Sequence, residues 1–324
     1  MDWLTLPELE AARDIVRGHM APTPALSWPL VNERAGAEVW VKHENHSPIG
    51  AFKVRGGLVY LTRIKAENPD IAGVLSATTG NHGQSIGLAA RLVGLPATIV
   101  VPLGNNPGKN AAMKGFGVEL IEHGADFDSA REFAEGMVAD RGLHMVPAFH
   151  PWLVQGVASY AIEFFEAQPD LDTVYVPIGL GSGICGVIAA RDALGLKTEV
   201  VGVVAEGAPC YALSFEAGRV VPTNGVETLA EGLAVRQPSP IALEIIRNGA
   251  DRIVRVSDAE IMAAMETYVT ETHNLAEGAG AAGLAALMQE RRAMAGRRVG
   301  VVLSGGNVSR EQLARVLAGA GADG

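Results

Sequence analysis

The sequence predicts an α/β protein with mainly parallel sheets flanked by helices. Three observations carry this. Short apolar, β-branched runs recur along the 324 residues and read as strands covered on both faces. Longer helical stretches separate them, as crossovers between parallel strands require. Glycines stand where helices should end, as in Val93-Gly94-Leu95-Pro96 and Leu194-Gly195-Leu196, and read as left-handed caps leading into the next strand.

Taken in order, strands are expected over Glu38–Lys42, Gly73–Ser76, Ala97–Val101, Val118–Ile121, Met145–Val146, Thr173–Pro177, Glu199–Ala205 and Arg298–Ser304. Helices are expected over Asn81–Val93, Asn110–Gly115, Asp128–Arg141, Gln155–Ala167, Ile184–Ala193, Asp258–Thr272 and Gly278–Ala295. The Ala- and Gly-rich stretch Ala276–Met288 reads as a closely packed helix, and neither a solenoid repeat nor a low-complexity linker is visible.

Composition bounds the partners. With 48% hydrophobic residues the chain can bury a large core, and its length favours two lobes. A net charge of −10 argues against nucleic acid or an anionic membrane as partner. Two cysteines, Cys185 and Cys210, lack metal-ligand spacing, cannot form a disulfide framework, and read as small buried residues of a reducing compartment. The start MDWLTLPELEAARDIV lacks the basic and apolar regions of a signal peptide. No apolar run reaches about 18 residues. A cytoplasmic protein is expected.

The most informative residue is Lys53, in Ser47-Pro48-Ile49-Gly50-Ala51-Phe52-Lys53-Val54-Arg55-Gly56-Gly57. A lysine among Ala, Phe and glycines is placed where a solvated surface lysine is not needed. Desolvation lowers an amine's pKa and makes it a nucleophile, used chiefly for a Schiff base with a carbonyl compound such as pyridoxal phosphate (PLP). Alone it also reads as an ordinary helix-start residue.

Ligands of parallel sheets bind beyond the carboxyl ends of strands, so the loops there matter. Ser76-Ala77-Thr78-Thr79-Gly80-Asn81-His82-Gly83 opens a helix whose free N–H groups suit a carboxylate, although the same residues make an ordinary Ser/Thr cap. His82 reads more as a structural histidine than as an acid–base group. Ile178-Gly179-Leu180-Gly181-Ser182-Gly183 follows a strand and precedes an apolar helix, the arrangement that presents amides to a phosphate. It equally suits a dinucleotide, because the next strand ends at Glu206, and this supports a competing NAD-dependent oxidoreductase. Ser304-Gly305-Gly306-Asn307 reads either as a tight turn or as a serine aimed at an unprotonated ring nitrogen. Glu277 faces a ligand or is a packed helix-start carboxylate. Neither a Gly-x-Ser-x-Gly elbow nor a His-Glu-x-x-His run is present, which disfavours hydrolases.

The ordered set Gly-Ala-Phe-Lys53-Val-Arg-Gly, Thr-Gly-Asn81-His-Gly-Gln, Pro-Ile-Gly-Leu-Gly-Ser-Gly, Glu-Gly-Leu-Ala-Val and Ser304-Gly-Gly-Asn resembles the fold-type II PLP enzymes, within them the threonine/serine dehydratase and serine racemase family. The likeness runs from about Pro22 to Val316. It implies a two-lobed, tryptophan synthase β-like fold, with lobes 1–65 plus 150–324 and 66–149. It implies that Lys53 holds PLP and moves the α-proton, that Phe52 flanks the ring and that Asn81 holds its 3′ oxygen. Thr78, Thr79, Asn81 and His82 would receive the substrate carboxylate. Amides of Gly179, Leu180, Gly181, Ser182 and Gly183 would cradle the phosphate, and Ser304 would meet the pyridine nitrogen. The implied activity is dehydration of a small β-hydroxy amino acid, L-threonine or L-serine, by a homodimer or higher homo-oligomer. A hydroxyaspartate dehydratase, a hydroxyectoine-pathway dehydratase and a serine racemase stay open as alternatives.

The chain departs from that pattern in places. Serine racemases carry a serine where Thr79 stands, and use it to deliver a proton on the face opposite the lysine. Leu180 and Ser182 replace glycines common in the phosphate turn. A Mg2+ site, where relatives have one, would fall on Glu206, but the accompanying aspartate is lost in Gly-Ala-Pro-Cys-Tyr. The chain ends soon after Ser304-Gly-Gly-Asn, so no isoleucine feedback domain is expected. Arg236 is the candidate cation for a substrate bearing a second carboxylate.

Overall fold

The computed structural model describes residues 3–319. Its N-terminal part runs α1 (Leu6–Arg17), β1 (Ala25–Ser27), α2 (Pro29–Ala35), β2 (Glu38–His43) and α3 (Lys53–Glu67). There follow β3 (Val74–Ala77), α4 (Asn81–Leu92), β4 (Ala97–Val101), α5 (Pro107–Gly115), β5 (Glu119–Glu122), α6 (Phe127–Arg141) and β6 (His144–Met145). The remainder is α7 (Pro151–Ala167), β7 (Thr173–Pro177), α8 (Ser182–Ala193), β8 (Glu199–Ala205), α9 (Cys210–Ala217), α10 (Pro240–Gly249), β9 (Arg252–Val256), α11 (Asp258–Thr272), α12 (Gly278–Glu290), β10 (Arg298–Leu303) and α13 (Arg310–Leu317).

These strands form two sheets. One is six-stranded in the order β1-β2-β10-β7-β8-β9, parallel except for the β1–β2 edge pair. The other is four-stranded, β5-β4-β3-β6, and wholly parallel. Both are covered on both faces. In β7, Val174 and Val176 pack with α7 and α8 residues such as Phe164 and Ile188, while Tyr175 between them joins Tyr268 and Leu284 of α11 and α12. In the smaller sheet Val74 and Ile99 pack on Ile86 of α4, and Leu75 and Val100 on Ala130 and Ala134 of α6. Period-two alternation buried on both sides is what gave these strands their uninterrupted apolar sequence.

The expected strands and helices are present, several with ends shifted by a few residues, and Gly94 and Gly195 take φ of 71° and 67° as caps. The helix expected to reach Ala295 stops at Glu290, and residues 291–296 turn into β10. Two strands and six helices escaped the sequence reading, most importantly α3, which begins at Lys53. Its Gly56-Gly57 pair looks like a helix breaker, yet the structure requires both. A Cβ at Gly56 would stand 2.8 Å from the Leu153 carbonyl oxygen, and one at Gly57 would stand 2.2 Å from Ser85 Oγ. The glycines let α3 lie against α7 and α4, at some cost in helix propensity. Among the described residues no helix is long and apolar enough to cross a membrane.

Candidate active site

Topology brings the motifs together. Strands β2, β10 and β7 are parallel neighbours, so their carboxyl ends open on the same edge. From there the chain delivers Lys53 after β2, Ser304 after β10 and the glycine turn after β7. The smaller sheet delivers the loop Thr78–His82 from the end of β3. A cavity of about 170 Å³ lies between, lined by Phe52 and Lys53, by Thr78 through His82, by Gly179 through Gly183, and by Ser304. Every residue nominated from the motifs as a catalytic, cofactor or carboxylate contact therefore faces one space. Two other nominees do not. Glu206 stands exposed past the end of β8, and among the described residues no three His, Cys, Asp or Glu side chains gather as a metal site. Arg236 is paired with Asp128 on the surface.

Lys53 Nζ reaches Ser182 Oγ at 3.4 Å and stands 5.3 Å from the Phe52 ring centroid. Burial, with no nearby carboxylate to offset it, pushes its pKa down to about 8. The backbone of this segment is tied to the serine loop, with Phe52 N–H donating to the Ser304 carbonyl at 3.0 Å and Ala51 bridging Gly305. The Ser304 side chain is buried at the cavity wall.

The glycine turn is built to leave its amides free. Gly181 takes φ +103° and caps α8. Tyr211 donates its hydroxyl to the Leu180 carbonyl at 2.7 Å, and Tyr160 donates to the Gly183 carbonyl at 3.2 Å. Among the described residues none of the amides from Gly179 to Gly183 donates to a backbone carbonyl. A row of unclaimed N–H groups at the positive end of a helix is an anion site.

On the opposite wall, α4 also begins without a side-chain cap, so the sequence expectation of an ordinary Ser/Thr cap is not what the structure shows. Asn81 is fixed from both sides. Its amide N–H donates to Glu277 Oε1 at 2.6 Å, and its oxygen accepts from Asn307 Nδ2 at 2.8 Å. One Asn81 N–H remains free for a ligand. Glu277 is thus a buried helix-start carboxylate that also lines the cavity, and burial raises its pKa despite the Lys109 charge and the Asn81 bond. His82 Nε2 is buried without a partner, and burial, aided by the Lys53 charge, pushes the ring down to about 3. It is neutral, as a structural histidine would be, yet the residue lines the cavity.

Sequence reasoning missed a buried cluster behind Lys53. Arg55, fully buried, donates to Glu44 at 2.7 and 3.0 Å and to both Glu163 oxygens at 2.8 Å. Lys42 completes it, donating to Glu163 at 2.8 Å and to the Thr23 carbonyl at 2.7 Å. Two cations face two carboxylates, so the cluster adds no net charge beside the amine. It fastens the start of α3 to β2 and α7. The partners lie 11 and 108 residues from Arg55, and no local pattern could have signalled them.

The residues present fit pyridoxal phosphate. The free amides suit its phosphate, the depressed lysine its aldehyde, the free Asn81 N–H a phenolate oxygen, and neutral Ser304 its ring nitrogen.

Comparison with known proteins agrees. Residues 16–305 match the family model described as pyridoxal-phosphate dependent enzyme. The chain is 32% identical to L-threonine ammonia-lyase of Thermotoga maritima over 97% of its own length and 78% of that protein's. It is 30% identical to L-threo-3-hydroxyaspartate ammonia-lyase of Saccharomyces cerevisiae, over 95% and 94% of the two chains. Maize serine racemase superposes with a TM-score of 0.91 at 26% identity, covering 98% and 97%. With the glycine turn so accounted for, the dinucleotide reading has nothing left to explain, and the chain belongs to the pyridoxal-phosphate dependent enzymes of fold type II.

Proposed function

We propose that the protein is an ammonia-lyase that removes water from a small β-hydroxy amino acid, L-threonine or L-serine, leaving an enamine that tautomerises to an imine and takes up water to give a 2-oxo acid and ammonia. The observation that carries it is the reach of the Lys53 amine to the free-amide turn at Ser182, inside a cavity also lined by the neutral Ser304, which would meet the ring nitrogen of bound PLP.

When bound, PLP supplies the electron sink that makes the substrate's α-proton acidic. The chain's own residues do the rest. Amides at the start of α4, with Thr78 and Thr79, hold the α-carboxylate and set the α-proton toward Lys53. With a pKa near 8, the lysine amine is available as a base close to neutral pH. Ser304, which carries no charge, cannot stabilise a protonated ring nitrogen. That weakens the sink and favours prompt loss of the β-hydroxyl over transamination. Neutral His82 adds no positive charge at the carboxylate, so the helix amides carry that task. Thr79 brings a hydroxyl to the loop with the extra methyl that separates it from a racemase serine, and dehydration is the primary reaction.

The lobes are 1–65 with 150–324 and 66–149, a division supported by the strands of the two sheets falling on either side of it. The protein is a cytoplasmic homo-oligomer in this reading, supported for its compartment by two buried free cysteines. The deciding experiment loads the protein with PLP and measures 2-oxo acid and ammonia from threonine, serine and 3-hydroxyaspartate stereoisomers. Release from none of them ends the proposal.

A further inference from the structure

We infer that the ion pair between Lys109 and Glu231 sets the side-chain selectivity of the cavity, admitting a neutral β-hydroxyl substituent and turning away a second carboxylate. This rests on the reading that a substrate carboxylate sits on the turn Thr78–His82.

Lys109 enters the cavity wall from α5, on the smaller sheet's side, and Glu231 from the short 3-10 turn Glu231–Leu233 on the other. The two close on each other across the cleft. Gly80 makes room for the lysine stem. A Cβ there would stand 3.3 Å from Lys109 Cδ and 3.5 Å from Nζ. The ammonium is thereby held beside the carboxylate turn. The Lys109 side chain is 13% exposed and that of Glu231 60%, so the cation is the sunken partner and the carboxylate guards the opening.

The charge inventory of the wall then decides which substrates fit. Among the described lining residues the cations are Lys53 and Lys109, and the carboxylates are Glu231 and Glu277. Lys53 is directed at Ser182, Glu277 is tied to Asn81, and His82 is held neutral by burial. Arg236, the cation the sequence suggested for this role, is engaged by Asp128 outside the cavity. An amino acid with one carboxylate brings one negative charge beside Lys109, and its β-hydroxyl can donate to Glu231. A second carboxylate brings another charge against Glu231 with no further cation to answer it. Like charges set together in a partly enclosed space repel, and repulsion is an effective means of rejecting a wrong ligand.

The test uses the PLP-loaded protein, its Glu231→Gln and Lys109→Met variants, and two readouts. The first is kcat/KM for L-threonine and for L-threo-3-hydroxyaspartate. The second is calorimetric binding of the unreactive pair butyrate and succinate, which differ in a single carboxylate. The wild-type protein should prefer threonine and butyrate, each by about tenfold or more. Glu231→Gln should raise the hydroxyaspartate-to-threonine ratio and the succinate-to-butyrate ratio by a similar factor. Lys109→Met should weaken butyrate. A wild-type preference for the dicarboxylates overturns the inference, and so does a Glu231→Gln variant whose two ratios stay put. If no hydroxy amino acid is turned over at all, the proposed reaction falls, while the calorimetric readout still decides the filter.

Discussion

Lys53 Nζ and Ser182 Oγ lie 3.4 Å apart although 129 residues separate them in the chain. One belongs to the start of α3 and the other to the start of α8, each just beyond the carboxyl end of a strand that flanks β10. An amine that close to a row of free amides can bond covalently to an aldehyde whose phosphate rests on the same turn. Replacing Lys53 with alanine should therefore abolish the visible absorbance of a lysine–PLP Schiff base. It should also lower 2-oxo acid release by about 10³-fold or more, the scale of a lost general base. Absorbance spectra and a coupled oxo-acid assay check both, and retained turnover removes Lys53 from its role.

The amine's depressed pKa fixes a pH dependence. Only the unprotonated amine attacks the aldehyde, so capture of PLP by the ligand-free protein should quicken as pH rises and level off above about 8. An ordinary lysine, with its value of 10.5, would keep quickening two units further. Stopped-flow absorbance between pH 6 and 10 distinguishes the two.

The cluster behind Lys53 predicts a stability effect. Arg55→Met leaves Glu44 and Glu163 buried with Lys42 as their remaining cation. Removing one partner from such a set costs about 3–5 kcal/mol. Arg55→Lys keeps the charge but loses the paired bonds to both carboxylates, and should cost less. Denaturant unfolding monitored by circular dichroism measures both. A loss below 1 kcal/mol in the methionine variant would mean the cluster is not what holds α3.

Two glycines of the turn should respond differently to a methyl group. At Gly181, φ is +103° and a Cβ would come within 2.8 Å of the Ala242 Cβ. Gly181→Ala should shift the amides and weaken PLP binding about tenfold or more. At Gly183 the nearest atom to a Cβ is Phe52 Cζ at 3.7 Å, an ordinary contact, and Gly183→Ala should bind PLP within about threefold of wild type. Equilibrium titration of the absorbance band compares them.

What the sequence disclosed follows from how local each signal is. Strands buried on both faces, such as Ala97–Val101, Thr173–Pro177 and Glu199–Ala205, announced themselves as unbroken apolar runs and are present with those limits. Strand β9, Arg-Ile-Val-Arg-Val, lies at the sheet edge, and its two partly buried arginines, paired with Glu290 and Glu216, break the apolar run that marks the other strands. The cavity-lining motifs were legible because each is a contiguous loop with a helix start or turn chemistry of its own. Lys109, Glu44 and Glu163 were not, since each acquires meaning only from a partner more than ten residues away. Arg236 finds its partner Asp128 108 residues away, a pairing equally invisible to local pattern.

The residues fitted to hold PLP come from positions 52–53, 81, 179–183 and 304, four stretches that the carboxyl ends of β2, β3, β7 and β10 set down around one cavity. A small molecule held there acts as a rivet through segments far apart in the chain, of which 52 and 304 are already tied by a backbone hydrogen bond. Loss of the rivet removes a link common to all four, so the melting temperature should climb with added cofactor, well past stoichiometric loading.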